Sequence, residues 1–411
     1  MVTSESRYFG GSGSVTDGVI AKISIRFGEA VDSFAEGIQV MARELNADSF
    51  GDSPARILIV DFTPSEENVR RGTLDLAITN EAITSFGGLN LLLAIVYYFA
   101  PYIVVESFVV ENISFSTEAA KKLKLKGPQN FSNNHGRLLL GAITKPRFDN
   151  NIHEEFILWS NNSGFKFIVE DELTVSNSRK EVIEKAQKID ALLTYGQGNS
   201  VYILNLTGTS TDALAVAKAV KNLPNIGVMV NVITMGFDVL RDIRNFTTNN
   251  FIIANVIGRD LLCGNGNYFV REKVICQIAR LAGANAVYTG PFVGTGIQTG
   301  KERAEAIRAS LCEDIVQNSR ALLEPSAAVA SASLDFGSIC DNAKCYTGDL
   351  ITLMGSHAIR MWQSGAQPEG VNAIISKITN DESVDSKNFN LEAKKALNGI
   401  GIKEYTKYGV V

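Results

Sequence analysis

The chain has 411 residues, with 39 basic and 44 acidic side chains and a formal net charge of −5 at pH 7. A chain of this length is too long to form a single small core, so two domains are predicted. Neither sign of charge is gathered into a long block, so the sequence gives no indication of nucleic acid or an anionic membrane as a partner, and a small molecule is the better expectation.

The first 133 residues are predicted to form a separate α+β domain with a ferredoxin-like sheet covered by two helices. Its opening 20 residues are polar and rich in Gly and Ser and do not resemble a signal peptide. Five scattered cysteines argue against a disulfide framework. We therefore expect a cytoplasmic protein. Apolar periodicity predicts the strands 19–27, 56–62, 73–79 and 102–110, and the helices 30–45 and 89–99.

The run from Leu91 to Val110 is almost wholly apolar and is long enough to raise the alternative of a membrane span, which needs about 20 residues. Pro101 and Glu106 interrupt it. We interpret it as a buried helix that ends before Pro101, followed by a β-branched strand.

Residues 134–411 are predicted to form a C-terminal (β/α)8 TIM barrel, which makes the chain an α/β protein. Amphipathic segments at 178–193, 212–220 and 301–316 separate short apolar runs, and a polar stretch from Asn380 predicts a peripheral helix and tail. The eight runs that predict the barrel strands are 138–144, 165–171, 201–206, 227–233, 251–256, 286–289, 327–331 and 350–354.

The residues at and just after the C-terminal ends of these strands are the candidates for a functional site, because these ends converge on one mouth of a barrel. They include cations, carboxylates, amides and small residues. The candidates are Lys145, Arg147, Asp171, Glu172, Asn205, Asn231, Asn255, Arg259, Thr289, Gly290, Ser331, Gly355 and Ser356.

Lys145 follows a wholly apolar strand, and Arg147 lies two residues further on. A desolvated amine beside another cation is suited to act as a general base. Arg147 could be that cation or could bind a phosphate group. The alternative is that Lys145 is only a surface cation.

The acidic residues 170–172 follow the second barrel strand. Strand alternation predicts that Val169 and Asp171 face the barrel axis and that Glu170 faces the helices, while Glu172 returns to the mouth. Two carboxylates from one turn suit a hard cation such as Mg²⁺. The alternative is a solvated strand end.

Further candidates surround the same mouth. The glycine-rich segment 290–300 offers backbone amides to a phosphate. The asparagines 205, 231 and 255 could bind a polyhydroxylated ligand or could be satisfied by neighbouring loops. Arg259 could bind an anion or pair with Asp260 or Asp238. His357 is a reserve candidate for a general acid.

Several of these segments resemble the ribulose-bisphosphate carboxylase large-chain superfamily. The likeness begins at His135–Phe148, HGRLLLGAITKPRF, and covers the whole barrel, and more loosely the N-terminal domain. The other matching segments are 164–172 (GFKFIVEDE), 228–237 (VMVNVITMGF), 255–259 (NVIGR), 281–290 (LAGANAVYTG) and 329–331 (VAS).

This resemblance implies roles for individual residues. Lys145 is similar to the lysine that removes a proton next to the substrate carbonyl, and Asp171 and Glu172 match carboxylate ligands of Mg²⁺. A homodimer, or an assembly of dimers, is implied, in which the N-terminal domain of one chain completes the site of another. The residues expected to bind a phosphorylated substrate are Arg147, Asn255, Arg259, Thr289, Gly290, Ser331, Gly355 and Ser356.

Departures from the family pattern point away from carbon dioxide fixation. Val169 occupies the place of the lysine that becomes a metal-binding carbamate, which makes Mg²⁺ binding uncertain. Thr295 replaces the mobile loop lysine, and Asn255 and Tyr288 stand where carboxylases have histidines. The chain resembles the non-carboxylating, form IV type of RuBisCO-like protein.

The resemblance implies an enzyme that enolises or isomerises a phosphorylated keto-sugar or a methylthio-keto-phosphate without fixing carbon dioxide. One alternative is decarboxylation or carboxyl transfer on a sugar-acid phosphate, since the same enediolate serves both reactions. Another is a non-catalytic protein that binds or senses such a ligand.

Overall fold

The molecule combines an open sheet with a closed barrel of parallel strands. A computed structural model describes residues 18–48, 57–85, 87–99, 104–129, 137–145, 150–171, 178–196, 198–247, 249–264, 266–293, 301–313, 316, 323–332 and 334–380.

The N-terminal part is built on an antiparallel sheet, as the alternating apolar pattern predicts. In β1 the buried residues Val19, Ala21, Ile23, Ile25 and Phe27 line one face. The strands are β1 (Gly18–Phe27), β2 (Ile57–Pro64), β3 (Arg71–Thr79) and β4 (Val105–Phe115), and the helices are α1 (Phe34–Asp48), α2 (Asn80–Ser85), the 3₁₀ turn Gly88–Asn90, α3 (Leu91–Phe99) and α4 (Thr117–Lys122).

The C-terminal part alternates strands and helices throughout. Its strands are β5 (Leu138–Thr144), β6 (Phe167–Glu170), β7 (Val201–Asn205), β8 (Ile226–Asn231), β9 (Ile252–Asn255), β10 (Tyr268–Val270), β11 (Ala286–Tyr288), β12 (Ala327–Ser331) and β13 (Leu350–Met354). Its helices are α5 (Asn150–Asn162), α6 (Arg179–Tyr195), α7 (Ser210–Val220), α8 (Val232–Met235), α9 (Phe237–Phe246), the 3₁₀ turn Arg259–Leu261, α10 (Glu272–Leu281), α11 (Lys301–Cys312), α12 (Phe336–Cys345), α13 (Ser356–Gln363) and α14 (Pro368–Asn380).

Eight of these strands close into the predicted barrel, in the order β11-β12-β13-β5-β6-β7-β8-β9. Each neighbouring pair is parallel; for example, Gly141 pairs with Phe167. Twelve buried residues fill the barrel interior, the number that three layers of four give. The interior is therefore a packed core, which leaves the mouth as the place to look for a candidate site.

The sheet and the barrel are joined by β10, which belongs to the sheet although it lies within the barrel sequence. The sheet order is β10-β4-β1-β3-β2, and β10 pairs parallel with β4 through Tyr268 and Phe108. Arg271 Nε also binds Glu111 Oε2 at 3.0 Å, and Gln277 Nε2 donates to Asn112 Oδ1 at 2.8 Å.

The predicted elements agree closely with the structure. The barrel strands 138–144, 327–331 and 350–354 have the predicted bounds. The predicted helix 301–316 is too long, because α11 ends at Cys312 and Val316 forms an isolated bridge with Phe115. The short helices α2 and α4 were not predicted. The predicted boundary at 133/134 and the tail after Asn380 lie outside the described residues.

The apolar run 91–110 is divided as predicted into α3 and β4, with residues 100–103 outside the described part. Among the described residues, no helix is both long enough and apolar enough to cross a membrane.

Candidate functional site

A ring of eight positions, one per barrel strand, lies at the mouth. On every strand it comes two residues after an interior apolar residue, such as Ile143 on β5 or Val169 on β6. Residues two apart on a strand share a face, so the four positions within strands lie on the inner face, and the other four follow their strands within two residues. The eight positions, which we call the mouth layer, are Lys145, Asp171, Asn205, Asn231, Asn255, Gly290, Ser331 and Gly355.

Lys145 and Asp171 form an ion pair within this layer. Lys145 Nζ lies 2.5 Å from Asp171 Oδ2, and their side chains are 39% and 12% exposed. Asn205 Nδ2 donates to the Asp171 carbonyl at 3.1 Å. Lys145 is therefore partly exposed, and the group in contact with it is an anion, whereas the neighbouring cation stays a prediction. Arg147 lies outside the described residues.

The alternation predicted along β6 is confirmed. Val169 is 1% exposed and belongs to the barrel interior. Glu170 faces outward and forms an ion pair with Lys185 on α6. Glu172, the second predicted metal ligand, lies outside the described residues.

The three asparagines of the mouth layer make the same local contact. Each side-chain oxygen accepts a hydrogen bond from the backbone N–H two residues later, at 2.8 to 3.0 Å, namely Thr207, Ile233 and Ile257. Asn231 Nδ2 also donates to the Ile257 carbonyl at 3.2 Å. This arrangement favours the second alternative, in which the amides are satisfied by the loops that follow them.

Arg259 pairs with Glu272, and not with Asp260 or Asp238, the partners considered as one alternative. Its Nε lies 2.9 Å from Glu272 Oε1, and a second nitrogen donates to the Thr289 carbonyl at 3.1 Å. Arg303 makes the same two kinds of contact, with Glu272 at 2.7 Å and with the Thr289 carbonyl at 2.5 Å. Asp238 instead pairs with Arg241. Two guanidinium groups thus share one carboxylate beside Gly290.

The remaining candidates differ in accessibility. Thr289 is fully buried, and its hydroxyl contacts the Gly290 and Val329 carbonyls at 3.2 Å each. Ser331 is 6% exposed on the inner face of β12. Gly355 precedes α13 without a side-chain cap, and Ser356, which follows, is exposed. The backbone amides at this helix end are therefore better placed to meet an anion than Thr289 is.

His357, the reserve acid, lies in the first turn of α13 and is 8% exposed. Burial lowers its pKa from the ordinary value of 6.5, with Asp335 acting in the opposite direction and Arg360 adding to the decrease. The imidazole is therefore neutral near pH 7, which disfavours a role as a proton donor.

The described residues do not by themselves fit Mg²⁺, which prefers six oxygen ligands. Asp171 is the carboxylate in the mouth layer, and its Oδ2 is already bound to Lys145. Val169 supplies no donor atom. Within the described ranges, no group of three or more His, Cys, Asp or Glu side chains could hold a metal ion.

Two sets of contacting residues were not predicted from the sequence. One is the pair Glu272 and Arg303, which no local pattern connects. The other lies behind the mouth layer, where Thr144, Glu170 and Tyr202 occupy outward positions on neighbouring strands. The sequence did carry a signal for this second set, because helices normally pack on apolar side chains at outward strand positions, and these three residues are polar.

No protein-family model matches the sequence, and neither does any curated protein. Solved structures do match over nearly the whole chain. One is the octameric ribulose-1,5-bisphosphate carboxylase/oxygenase (Rubisco) of Pyrococcus horikoshii OT3 in complex with sulfate, with 18% identity, coverage of 95% of both chains and a TM-score of 0.73.

Two further matches extend this likeness. An archaeal Rubisco is 14% identical, with 97% of this chain and 99% of that chain covered and a TM-score of 0.70. The dimeric archaeal Rubisco of Hyperthermus butylicus is 15% identical, with 97% and 94% covered and a TM-score of 0.65. The resemblance predicted from the sequence is confirmed at the level of the fold.

Proposed function

We propose that this chain, which has the fold of the Rubisco large chain, is an enzyme that transfers a proton next to the carbonyl group of a phosphorylated substrate without fixing carbon dioxide. A phosphorylated keto-sugar or a methylthio-keto-phosphate is the proposed substrate class. The observation that carries this proposal is the Lys145–Asp171 pair in the mouth layer, 2.5 Å apart.

Lys145 is the proposed base; the ammonium of the resting ion pair first loses one proton to solvent, which leaves a neutral amine in contact with Asp171. When its amine takes a proton from the carbon next to the carbonyl, it becomes an ammonium ion, and Asp171 is in contact to stabilise that charge. Asp171 also orients the amine, because the Asn205 amide holds the backbone at this position. An adjacent amine and carboxylate thus supply both the base and its orientation.

The proposed phosphate contacts lie on the other side of the mouth. The uncapped start of α13 at Gly355 and Ser356 presents backbone N–H groups, and a helix start favours negative charge. Arg259 and Arg303 place two guanidinium groups beside Gly290 and are proposed as further contacts of the anion. Arg147 and Ser331 are further proposed contacts, whereas Asn255 and Thr289 are proposed to shape the pocket.

Carbon dioxide fixation is not part of this proposal. The buried Val169 side chain has no amine that could form a carbamate. Mg²⁺ is likewise left out of the mechanism, because the described residues do not fit it and Asp171 Oδ2 is already in contact with Lys145 Nζ.

The test is proton exchange in D₂O, with loss of the proton next to the carbonyl followed by NMR over a panel of ketose phosphates and methylthio-ketose phosphates. Lys145→Met should abolish exchange while ligand binding persists, because it removes the base and keeps the side-chain length. Lys166→Met, at an exposed lysine before β6, is the matched control and should leave exchange unchanged.

Exchange that persists in Lys145→Met would remove the proposed base. If the wild-type chain binds members of the panel but exchanges none, the ligand-sensing alternative replaces catalysis. The same assay in EDTA should show full exchange, and a loss restored by Mg²⁺ would contradict the metal-free mechanism.

A further inference from the structure

A buried polar cluster lies directly behind the Lys145–Asp171 pair, on the outward faces of β5, β6 and β7. Its centre is Glu170, whose side chain is 4% exposed. The Glu170 carboxylate accepts hydrogen bonds from the Tyr202 hydroxyl and from the Asn205 backbone N–H, each at 2.8 Å, and forms an ion pair with Lys185. We refer to Glu170 and the groups it connects as the Glu170 cluster.

The cluster reaches further through Tyr202. The Tyr202 hydroxyl lies 3.1 Å from His153 Nε2 on α5. Thr144 pairs with Glu170 across the β5–β6 register. The cluster therefore connects three barrel strands with the two helices α5 and α6.

Sequence adjacency places this cluster against both members of the ion pair. Thr144 immediately precedes Lys145, and Glu170 immediately precedes Asp171. Asn205, whose backbone N–H binds Glu170, also donates its side-chain amide to the Asp171 carbonyl at 3.1 Å. The backbone on each side of the Lys145–Asp171 contact is thus fixed from behind.

Stability alone gives a weak reason for this arrangement. Burying a carboxylate is costly unless it is paired and hydrogen-bonded, and apolar residues of similar volume are often as stable as a buried ion pair. The neighbouring outward residues, such as Ile168 and Leu204, are apolar and fully buried. A buried polar cluster among these apolar neighbours, directly behind the Lys145–Asp171 pair, suggests a requirement for geometry.

We propose that Glu170 is a positioning residue, which through Tyr202, Lys185 and Asn205 holds the ends of β5 and β6 so that Lys145 Nζ stays in contact with Asp171. This inference rests on the proposed role of Lys145 as the base. A displacement of the amine by about 1 Å would lower the rate of proton transfer by up to roughly 100-fold.

The test uses two variants of the full chain, Tyr202→Phe and Lys185→Met, and a matched control. The control is Lys188→Met, which removes the Lys188–Glu154 pair at 2.5 Å between the same two helices, one turn along α6. Both test variants should lower kcat for exchange about 10-fold or more with little change in KM, and Lys188→Met should change neither.

A second readout does not depend on activity. The side-chain ammonium signal of Lys145, identified in ¹⁵N-labelled protein by its absence in Lys145→Arg, should shift in Tyr202→Phe and Lys185→Met and stay in place in Lys188→Met. Glu170→Gln provides a further variant if Lys185→Met does not fold.

The outcomes separate the two proposals. The wild-type chain could exchange no substrate while the Lys145 signal still shifts in Tyr202→Phe and Lys185→Met. In that case the proposed function fails, but the role of Glu170 in positioning Lys145 stands. If Tyr202→Phe unfolds more easily yet keeps its kcat and its Lys145 signal, the cluster is structural only and the inference is overturned.

Discussion

At the scale of single residues, Ala332 stands out because it has a backbone φ of 98° directly after the mouth-layer residue Ser331. Nine other described positions with positive φ are glycines, and Lys124, at φ 55°, is the other non-glycine. An alanine in this conformation costs about 1–3 kcal/mol. The exposed Ala332 thus carries backbone strain at the edge of the proposed site.

Ala332→Gly should raise the free energy of unfolding by roughly 1 kcal/mol, because the relief of strain exceeds the entropy that glycine adds to the unfolded chain. The measurement is urea denaturation. Lys124→Gly is the control and should change stability less, because its φ lies within the ordinary left-handed region. An unchanged or lowered stability of Ala332→Gly would show that the backbone here is not strained.

The candidate site was only partly predictable at this scale. Lys145 and Asp171 were identified because each follows an apolar strand, and strand alternation placed Glu170 on the opposite face. The partner of Arg259 could not be predicted, since Glu272 lies 13 positions away and approaches through the 3₁₀ turn and β10. Contacts of this kind depend on the paths of loops, and loop sequences have no periodic apolar pattern from which a path could be predicted.

At the scale of elements, the barrel strands were the most predictable part, because strands buried on both faces give uninterrupted apolar runs. The short helices α2 and α4 were missed, since six residues are too few to show a helical period. The three-residue strand β10 was missed for the same reason, although its pairing with β4 decides how the sheet meets the barrel.

The β4–β10 pairing can be weakened by one substitution. The Arg271 backbone N–H donates to the Val110 carbonyl at 3.0 Å, and Arg271 has a φ of −64°, which proline accepts without strain. Arg271→Pro should therefore remove this hydrogen bond and speed amide exchange in β4, while the barrel strands remain protected.

Hydrogen–deuterium exchange followed by mass spectrometry gives the measurement. Arg271→Ala is the matched control, because it also loses the Glu111 ion pair but keeps the backbone N–H. Equal exchange of β4 in the two variants would mean that the ion pair, and not the strand pairing, joins the sheet to the barrel.

At the scale of the whole molecule, the rim of the mouth carries exposed apolar side chains. Leu261 is 81% exposed, Ile257 is 43% and Val293 is 38%. Exposed apolar residues grouped around a polar site suggest a covered surface. The homodimer expected from the sequence stays a prediction, and a second copy of this chain would cover such a rim.

We therefore expect the chain to sediment at twice its mass of 44.5 kDa or at a multiple of that value. Leu261→Asp should shift the equilibrium towards the monomer in analytical ultracentrifugation, because it places a charge in the covered surface. Tyr195→Asp, at an 89% exposed residue at the end of α6 on the opposite face of the barrel, should not. A monomeric wild-type chain would refute the proposal.

The position of β10 bears on how the protein can be divided for expression. A fragment that stops near residue 133 would contain β1 to β4 but would leave the β10 side of β4 without its hydrogen-bonded neighbour. An open strand edge beside apolar residues such as Phe108 and Val110 invites pairing between molecules. The N-terminal sheet should consequently behave as an aggregation-prone fragment when it is produced alone, and a soluble version would have to carry its own copy of residues 268–270.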